Sequence, residues 1–284
     1  MIASAEADLF WILDPGPFGD DPADAAVILS ARQRGARILA AEPIPSSTVE
    51  VRAGRWARSH QGLSAADACD LAPLVRHEPA FAELLDAMEQ FRPVRTLRVD
   101  VRARERDASL ALLLFDAMDI ARELMGEPES IDAAYAYSVP GRPLHALPGE
   151  TLRDLRGDIA FTGRYADGRM LSGLASDQAG AYTFRIDVVG PAGELSVDRE
   201  RLLWRDGSGE VIEDSRWNEQ DKDSGGFAAA SVAGAMRRVL EDRAPPPAPG
   251  SFELTLSMCQ AALLSARTGQ GESPAMLRRI AATA

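Results

Sequence analysis

Carboxylates are the groups that this sequence places at spacings able to do chemistry. Asp116 and Asp119 lie three residues apart in an apolar segment of helical period, so about one turn separates them. Paired carboxylates can share a proton or bind a cation. Asp119 also stands three residues before Arg122, the spacing of an ordinary helix ion pair that needs no ligand. Basic groups are scattered. His60, His77 and His145 fall on three separate segments, which supports neither a zinc site nor a Ser-His-Asp arrangement, and no metal is expected. Lys222 is the only lysine, and it sits in a polar run, residues 218–226, that reads as a loop; a buried catalytic lysine is almost excluded. Cys69 and Cys259 match no metal spacing and read as buried free thiols in a reducing compartment.

The totals set bounds on partners and location. With 284 residues, 46% of them apolar, the chain can build one large domain or two modest ones. A net charge of −12 argues against a phosphate backbone as partner, because nucleic-acid binding needs a concentrated basic surface and the arginines here are dispersed among acids. Residues 1–8 lack a basic start followed by an apolar run, and no segment approaches the roughly 18 apolar residues of a membrane span. A cytoplasmic protein without membrane association is expected.

The elements that must position the carboxylates follow from hydrophobic period. Residues 9–13 are a continuous apolar run ended by Asp14-Pro15-Gly16, as for a strand buried on both faces of a parallel sheet. A helix over 23–34 follows, Gly35 ends it, and 37–41 reads as a second buried strand that stops at Glu42-Pro43, giving a βαβ unit. Residues 48–52 give a weaker strand signal. A helix over 78–91 carries Phe81, Leu84, Leu85 and Met88 on one stripe, with Arg76 and His77 just before it, and 94–103 alternates as a strand. The strongest helix, 109–125, has Leu110, Leu113, Leu114, Ala117, Ala121 and Leu124 as its apolar stripe, with Asp116 and Asp119 on the other side and Gly126 as its stop.

Residues 158–214 alternate strictly in places. Tyr182, Phe184, Ile186 and Val188 point one way, and Thr183, Arg185 and Asp187 the other. Turn signals at Asp167-Gly168, at Gly190 to Gly193 and at Asp206 to Gly209 divide the stretch into about five or six antiparallel strands. One face of that sheet needs a cover of helices or of another subunit; the Thr- and Arg-bearing face leaves open a second packed surface. Helices over 226–242 and 251–268 close the chain, with Gly269 as a cap.

This order, together with several stretches, resembles the Gfo/Idh/MocA oxidoreductases. Residues 7–15 look like that family's buried strand ending in proline, and 34–43 (Arg-Gly-Ala-Arg-Ile-Leu-Ala-Ala-Glu-Pro) like the segment ending in its Glu-Lys-Pro motif. Residues 116–126 resemble the helix after its histidine, 188–195 its sheet turn, and 262–270 its last helix. The resemblance implies a truncated Rossmann-like βαβ domain, residues 1–106, followed by an α+β domain, residues 107–284, with a large, open, mostly antiparallel sheet covered by helices. The last helices are placed to pack back on the first domain. The activity it implies is NAD(P)-dependent oxidation or reduction of a sugar or polyol, and the sheet often forms the family's subunit interface.

The departures from the family are chemical. The glycine-rich unit that opens the family's nucleotide domain has no counterpart in the 284 residues. The lysine of Glu-Lys-Pro falls on Glu42, and the Asp-x-x-x-His pair falls on Leu112 and Asp116. Candidate substrate contacts are Glu42, Asp116, Arg76 and His77, and candidate cofactor contacts are Pro15, Glu42 and Pro43. Three expectations follow. The leading one is a catalytically degenerate relative without a cofactor, pairing with itself or with a paralogue through the C-terminal sheet. The second is an active NAD(P)-dependent enzyme using Glu42 or Asp116 as an acid of raised pKa, its cofactor site completed by a partner. The third is a sugar-type ligand-binding module.

Overall fold

The computed structural model describes residues 8–12, 22–47, 69–137, 151–217 and 251–283, with 233, 236, 237 and 241. The expected strand over 48–52 and most of the expected helix over 226–242 lie outside them, as do Pro15, His60, His145 and Lys222.

Strand β1 (Leu9–Ile12), helix α1 (Pro22–Gln33), strand β2 (Arg37–Ala40) and the short strand β3 (Asp70–Leu71) build a three-stranded parallel sheet in the order β1-β2-β3. Ile28, Leu29 and Ala31 of α1 pack on Ile38 and Ala40 of β2, which accounts for the apolar run of that strand. This is the expected βαβ unit with one strand added. A 3₁₀ turn (Val75–His77) leads into α2 (Pro79–Phe91), then β4 (Thr96–Arg104) and α3 (Leu110–Met125).

Seven further strands follow: β5 (Ser130–Ala136), β6 (Asp158–Arg164), β7 (Met170–Ser176), β8 (Gln178–Gly190), β9 (Gly193–Asp198), β10 (Arg201–Arg205) and β11 (Val211–Arg216). With β4 they form one eight-stranded sheet in the order β11-β10-β9-β8-β4-β7-β6-β5. All neighbours are antiparallel except β4 and β7, which run parallel. Strand β4 is therefore wedged between β7 and β8, although only Asp177 separates those two in sequence. Its alternation explains the placement: Leu97, Val99, Val101 and Ala103 are all buried beneath the helices, and both of its edges are paired. The large sheet thus draws its central strand from the 1–106 segment and the rest from 107–284.

Close packing beside β4 demands a glycine on β7. Gly173 lies opposite Val99, and a Cβ there would come within 2.3 Å of the Val99 carbonyl and 2.4 Å of the Phe161 ring. On the covered face, α2 buries Phe81, Leu84, Met88 and Phe91, and the Phe91 ring meets Trp204 of β10 edge-on at 5.7 Å. Helix α4 (Ser251–Thr268) packs on β5 and α3, and α5 (Pro274–Thr283) packs on α4. Gln260 of α4 also donates to the Ser46 carbonyl at 3.3 Å, so this helix does reach back to the end of the parallel sheet. None of the described helices is long and apolar enough to cross a membrane.

Helix α3 departs from the amphipathic reading. Its residues from Leu110 to Ala121 are all buried, because β4, β7, the 3₁₀ turn and α4 surround it. Asp116 and Asp119 are therefore not on a solvent side. The apolar stripe was real, but the opposite face is covered as well. Gly126 ends the helix as expected, at a φ of 79°, with its N–H donating to the Arg122 carbonyl at 2.8 Å.

Candidate functional site

The C-terminal end of β2 and the start of α3 meet at one hydroxyl. Ser109 is the N-cap of α3: its Oγ accepts from the Leu112 N–H at 3.1 Å and donates to the carboxylate of Glu42. The cap supplies a partner for one of the helix's orphan donors, and the positive end of the helix dipole favours the carboxylate beside it. Glu42 is 1% exposed. Next to it, the carbonyl of buried Pro43 accepts from Nη2 of Arg153 at 2.6 Å. Residues 41–46 are all buried, so the end of the parallel sheet is covered.

One turn into α3, Leu112 is a core residue at 3% exposure, and one turn further Asp116 is fully buried. The i, i+4 spacing sets both on the same side of the helix. Burial pushes the Asp116 carboxyl well above the usual range; nearby Asp119 and Glu78 push it the same way, while the amides of Leu74 and Val75 oppose the shift in part. Those amides lie close but off line: no donor meets either Asp116 oxygen in hydrogen-bond geometry. Burial thus favours the protonated form of Asp116.

Asp119 belongs to a different arrangement. It pairs with Arg122 at 2.9 Å and with Arg76, whose Nη2 reaches Glu123 at 2.7 Å. Arg122 also touches Glu123 at 3.1 Å and donates from Nε to Thr255 of α4 at 3.1 Å. Four charges of alternating sign fasten the 3₁₀ turn and α4 onto α3. The helix ion pair expected from the sequence is present, and it is buried and shared. Arg76 is therefore engaged with Asp119 and Glu123, while His77 is half-buried at the end of the turn. Among the described residues no group of three or more His, Cys, Asp or Glu could hold a metal ion.

A cavity lies where β9 stops short. The pairing of β8 with β9 ends at Arg185 and Asp198, so residues 182–184 of β8 have no β9 neighbour. The notch encloses about 460 Å³ and is lined by residues 182–185 and 198–200. Tyr182 is 4% exposed, and the Arg199 guanidinium sits 5.6 Å from its ring centroid. Burial, then the nearby acids Asp116 and Glu78, raise the Tyr182 phenol well above its ordinary pKa. Sequence reasoning set Tyr182 on the covered face of its strand but did not assign it to a site. The missing signal was the length mismatch of β8 and β9, and a single-strand pattern does not carry that.

No family model matches the chain, and no curated protein matches it. Solved structures do. The fold is that of the Gfo/Idh/MocA-type dehydrogenases. A levoglucosan dehydrogenase in complex with NADH and L-sorbose superposes with a TM-score of 0.69 at 15% identity, over 97% of this chain and 82% of that one. An oxidoreductase from Agrobacterium radiobacter in complex with NAD⁺, L-tartaric acid and magnesium gives 0.68 at 14% identity, covering 98% and 83%. A putative myo-inositol dehydrogenase from Sinorhizobium meliloti gives 0.62 at 19% identity, covering 96% and 82%. At these identities the likeness is one of fold.

Proposed function

We propose that this chain is a catalytically degenerate relative of the Gfo/Idh/MocA oxidoreductases and acts as an oligomerisation or partner subunit through the face of its eight-stranded sheet that none of the described helices covers. One observation carries the reading: Asp116, at the position of the family's histidine, is fully buried, with its carboxyl raised well above the usual range, on the same side of α3 as the core residue Leu112. A general acid or base must come within hydrogen-bond reach of the proton it moves. The cofactor that the fold implies is a nicotinamide dinucleotide, and the described residues do not fit it. The N-terminus of α3, the end of a helix that attracts anions, already holds the Glu42 carboxylate, and residues 41–46 are covered. Two buried free cysteines, Cys69 and Cys259, support a reducing, cytoplasmic setting.

The partner role draws on the sheet's uncovered face. Asp100 accepts from Arg98 at 2.9 Å and from Arg102 at 3.0 Å, and Asp187 accepts from Arg185 and from Ser196. Pairing these charges within the surface lowers the cost of desolvating them when that surface is covered. Titration of NADH and NADPH by calorimetry, with turnover assays on levoglucosan, myo-inositol and L-sorbose and light-scattering mass, tests the reading. The expected result is no nucleotide binding, no turnover and a mass of a dimer or more. Stoichiometric nucleotide binding with turnover would overturn it and make Asp116 the candidate acid.

The cavity beside Tyr182 favours a second reading, a ligand-binding module. Saturable stabilisation by a small polyol or a derivative of one, without turnover, would mark it.

A further inference from the structure

Four charges stand together on the sheet face that none of the described helices covers, where β4 pairs with β8. The register sets Arg98 beside Asp187 and Asp100 beside Arg185, and the two-residue spacing along each strand turns all four side chains to the same side. Signs therefore alternate along both strands and across them, as on a checkerboard. The quartet sums to zero in a chain whose net charge is −12.

Relief follows the same pattern. The two arginines protrude, with side chains 58% and 57% exposed, while the acids they pair with are recessed, at 7% for Asp100 and 17% for Asp187. In the row of Arg98 and Asp187 the flanking residues are the small Ser172 of β7 and Ser196 of β9; in the other row they are Leu174 and Asp198.

Such a quartet is its own complement. When two sheets meet face to face with their strands aligned, a two-fold axis through the quartet lays each protruding guanidinium over a recessed carboxylate of the other copy. With the axis along the strands, Arg98 meets the second copy's Asp187 and Arg185 its Asp100. With the axis across the strands, Arg98 meets Asp100 and Arg185 meets Asp187. A crossing of about 90° does the reverse and lays like charge on like charge at all four positions. The angle of roughly 30° between aligned sheets displaces the strand ends and hardly moves the centre. For a chain this acidic, a neutral surface of alternating sign is where a second copy meets attraction instead of repulsion.

We propose that two copies of this chain associate face to face with aligned strands, the two-fold axis passing through the quartet of Arg98, Asp100, Arg185 and Asp187. The proposal rests on the partner-subunit reading and names the partner as a second copy.

Sedimentation equilibrium and light-scattering mass of the full-length chain test it, with circular dichroism as the check on folding. The parent is expected to be a dimer. Asp187→Arg leaves three cations and one acid in the quartet and enters a two-fold contact twice, so the dissociation constant is expected to rise about a hundredfold or more. Arg98→Glu, the reversal on the other strand, should do the same. Sign exchange then restores one orientation at a time. Arg185→Asp with Asp187→Arg puts both cations in one row and fits only an axis across the strands; Arg98→Asp with Asp187→Arg puts both cations on β8 and fits only an axis along them. One double variant, and not the other, is expected to recover the parent's dissociation constant to within about tenfold. A monomeric parent would overturn the proposal, as would single reversals that associate as tightly as the parent, or recovery in both double variants or in neither. A monomeric parent leaves catalytic degeneracy and pairing with a paralogue standing, whereas nucleotide binding with turnover removes the degeneracy and leaves this contact standing.

Discussion

The Ser109 hydroxyl joins Glu42 to helix α3: it donates to the Glu42 carboxylate and accepts from the Leu112 N–H at 3.1 Å. This hydroxyl links the end of the parallel sheet to the helix at the centre of the larger core. Ser109→Ala removes the helix cap and strips a donor from a carboxylate that is 1% exposed. A cap is worth about 1 kcal/mol, and a buried acceptor that loses its donor costs about 1–3 kcal/mol, so the variant is expected to lose about 2–3 kcal/mol. Urea denaturation measures it. A loss below about 0.5 kcal/mol would show that the hydroxyl holds neither partner. Thr at the same position should retain most of the stability.

Asp116 predicts an inverted pH dependence. Its carboxyl is raised in the folded state by burial, with Asp119 and Glu78 adding to the shift, so folding takes up a proton between the ordinary carboxyl range and the folded value. The contribution is therefore present at low pH and is lost as pH rises through that window, at about 1.4 kcal/mol per pH unit. Asp116→Asn cannot titrate. Relative to the parent it should be more stable at neutral pH than at pH 4, as read from denaturation midpoints across that range. Parallel pH profiles for the two proteins would show that Asp116 is ionised in the fold.

How far the sequence alone reached depended on how local each feature is. Strict alternation located β8, and the helix stop at Gly126 was legible because a positive φ favours glycine. Period alone could not show that α3 is covered on both sides, since the residues that cover its polar side come from the 3₁₀ turn and from α4, more than a hundred residues away. The same holds for β4. Its alternation named it a strand, but its place between β7 and β8 depends on pairing partners some 70 to 90 residues further along. Glu42 was found through the resemblance, and Asp116 through its spacing from Asp119 and then the resemblance; their burial and the role of Ser109 are three-dimensional facts.

Gly173 tests the packing that places β4. A methyl group at this position would lie 2.3 Å from the Val99 carbonyl, a backbone atom of the neighbouring strand, and 2.4 Å from the Phe161 ring. The ring can swing, whereas the strand cannot move without breaking its pairing with β8. Gly173→Ala is expected to cost about 3 kcal/mol, at the upper end for overpacking in a core. Gly207, where an added Cβ would meet nothing within 4 Å, serves as the control, and Gly207→Ala should be near neutral. Similar losses for the two variants, measured by thermal unfolding, would mean that the strand relaxes freely.

The uncovered face of the large sheet carries the partner proposal, and its composition says where to break it. Met170, Thr96 and Val189 stand side by side on β7, β4 and β8, with Met170 53% and Val189 42% exposed. The next row sets Ser172, Arg98, Asp187 and Ser196 together, and the one after it Leu174, Asp100, Arg185 and Asp198. Two exposed apolar side chains beside charges largely paired within the sheet suit burial against a second copy, because an isologous contact brings the same patch onto itself. Met170→Glu with Val189→Glu would place four like charges across such a contact. The double variant should therefore have the mass of a single chain by light scattering while the parent has at least twice that mass, with circular dichroism unchanged. Substitutions on exposed strand positions leave the core alone, so a change in mass without a change in fold isolates the interface. A parent chain that is already monomeric at tens of micromolar would remove the self-pairing form of the proposal and leave pairing with a paralogue as the form to test by co-purification.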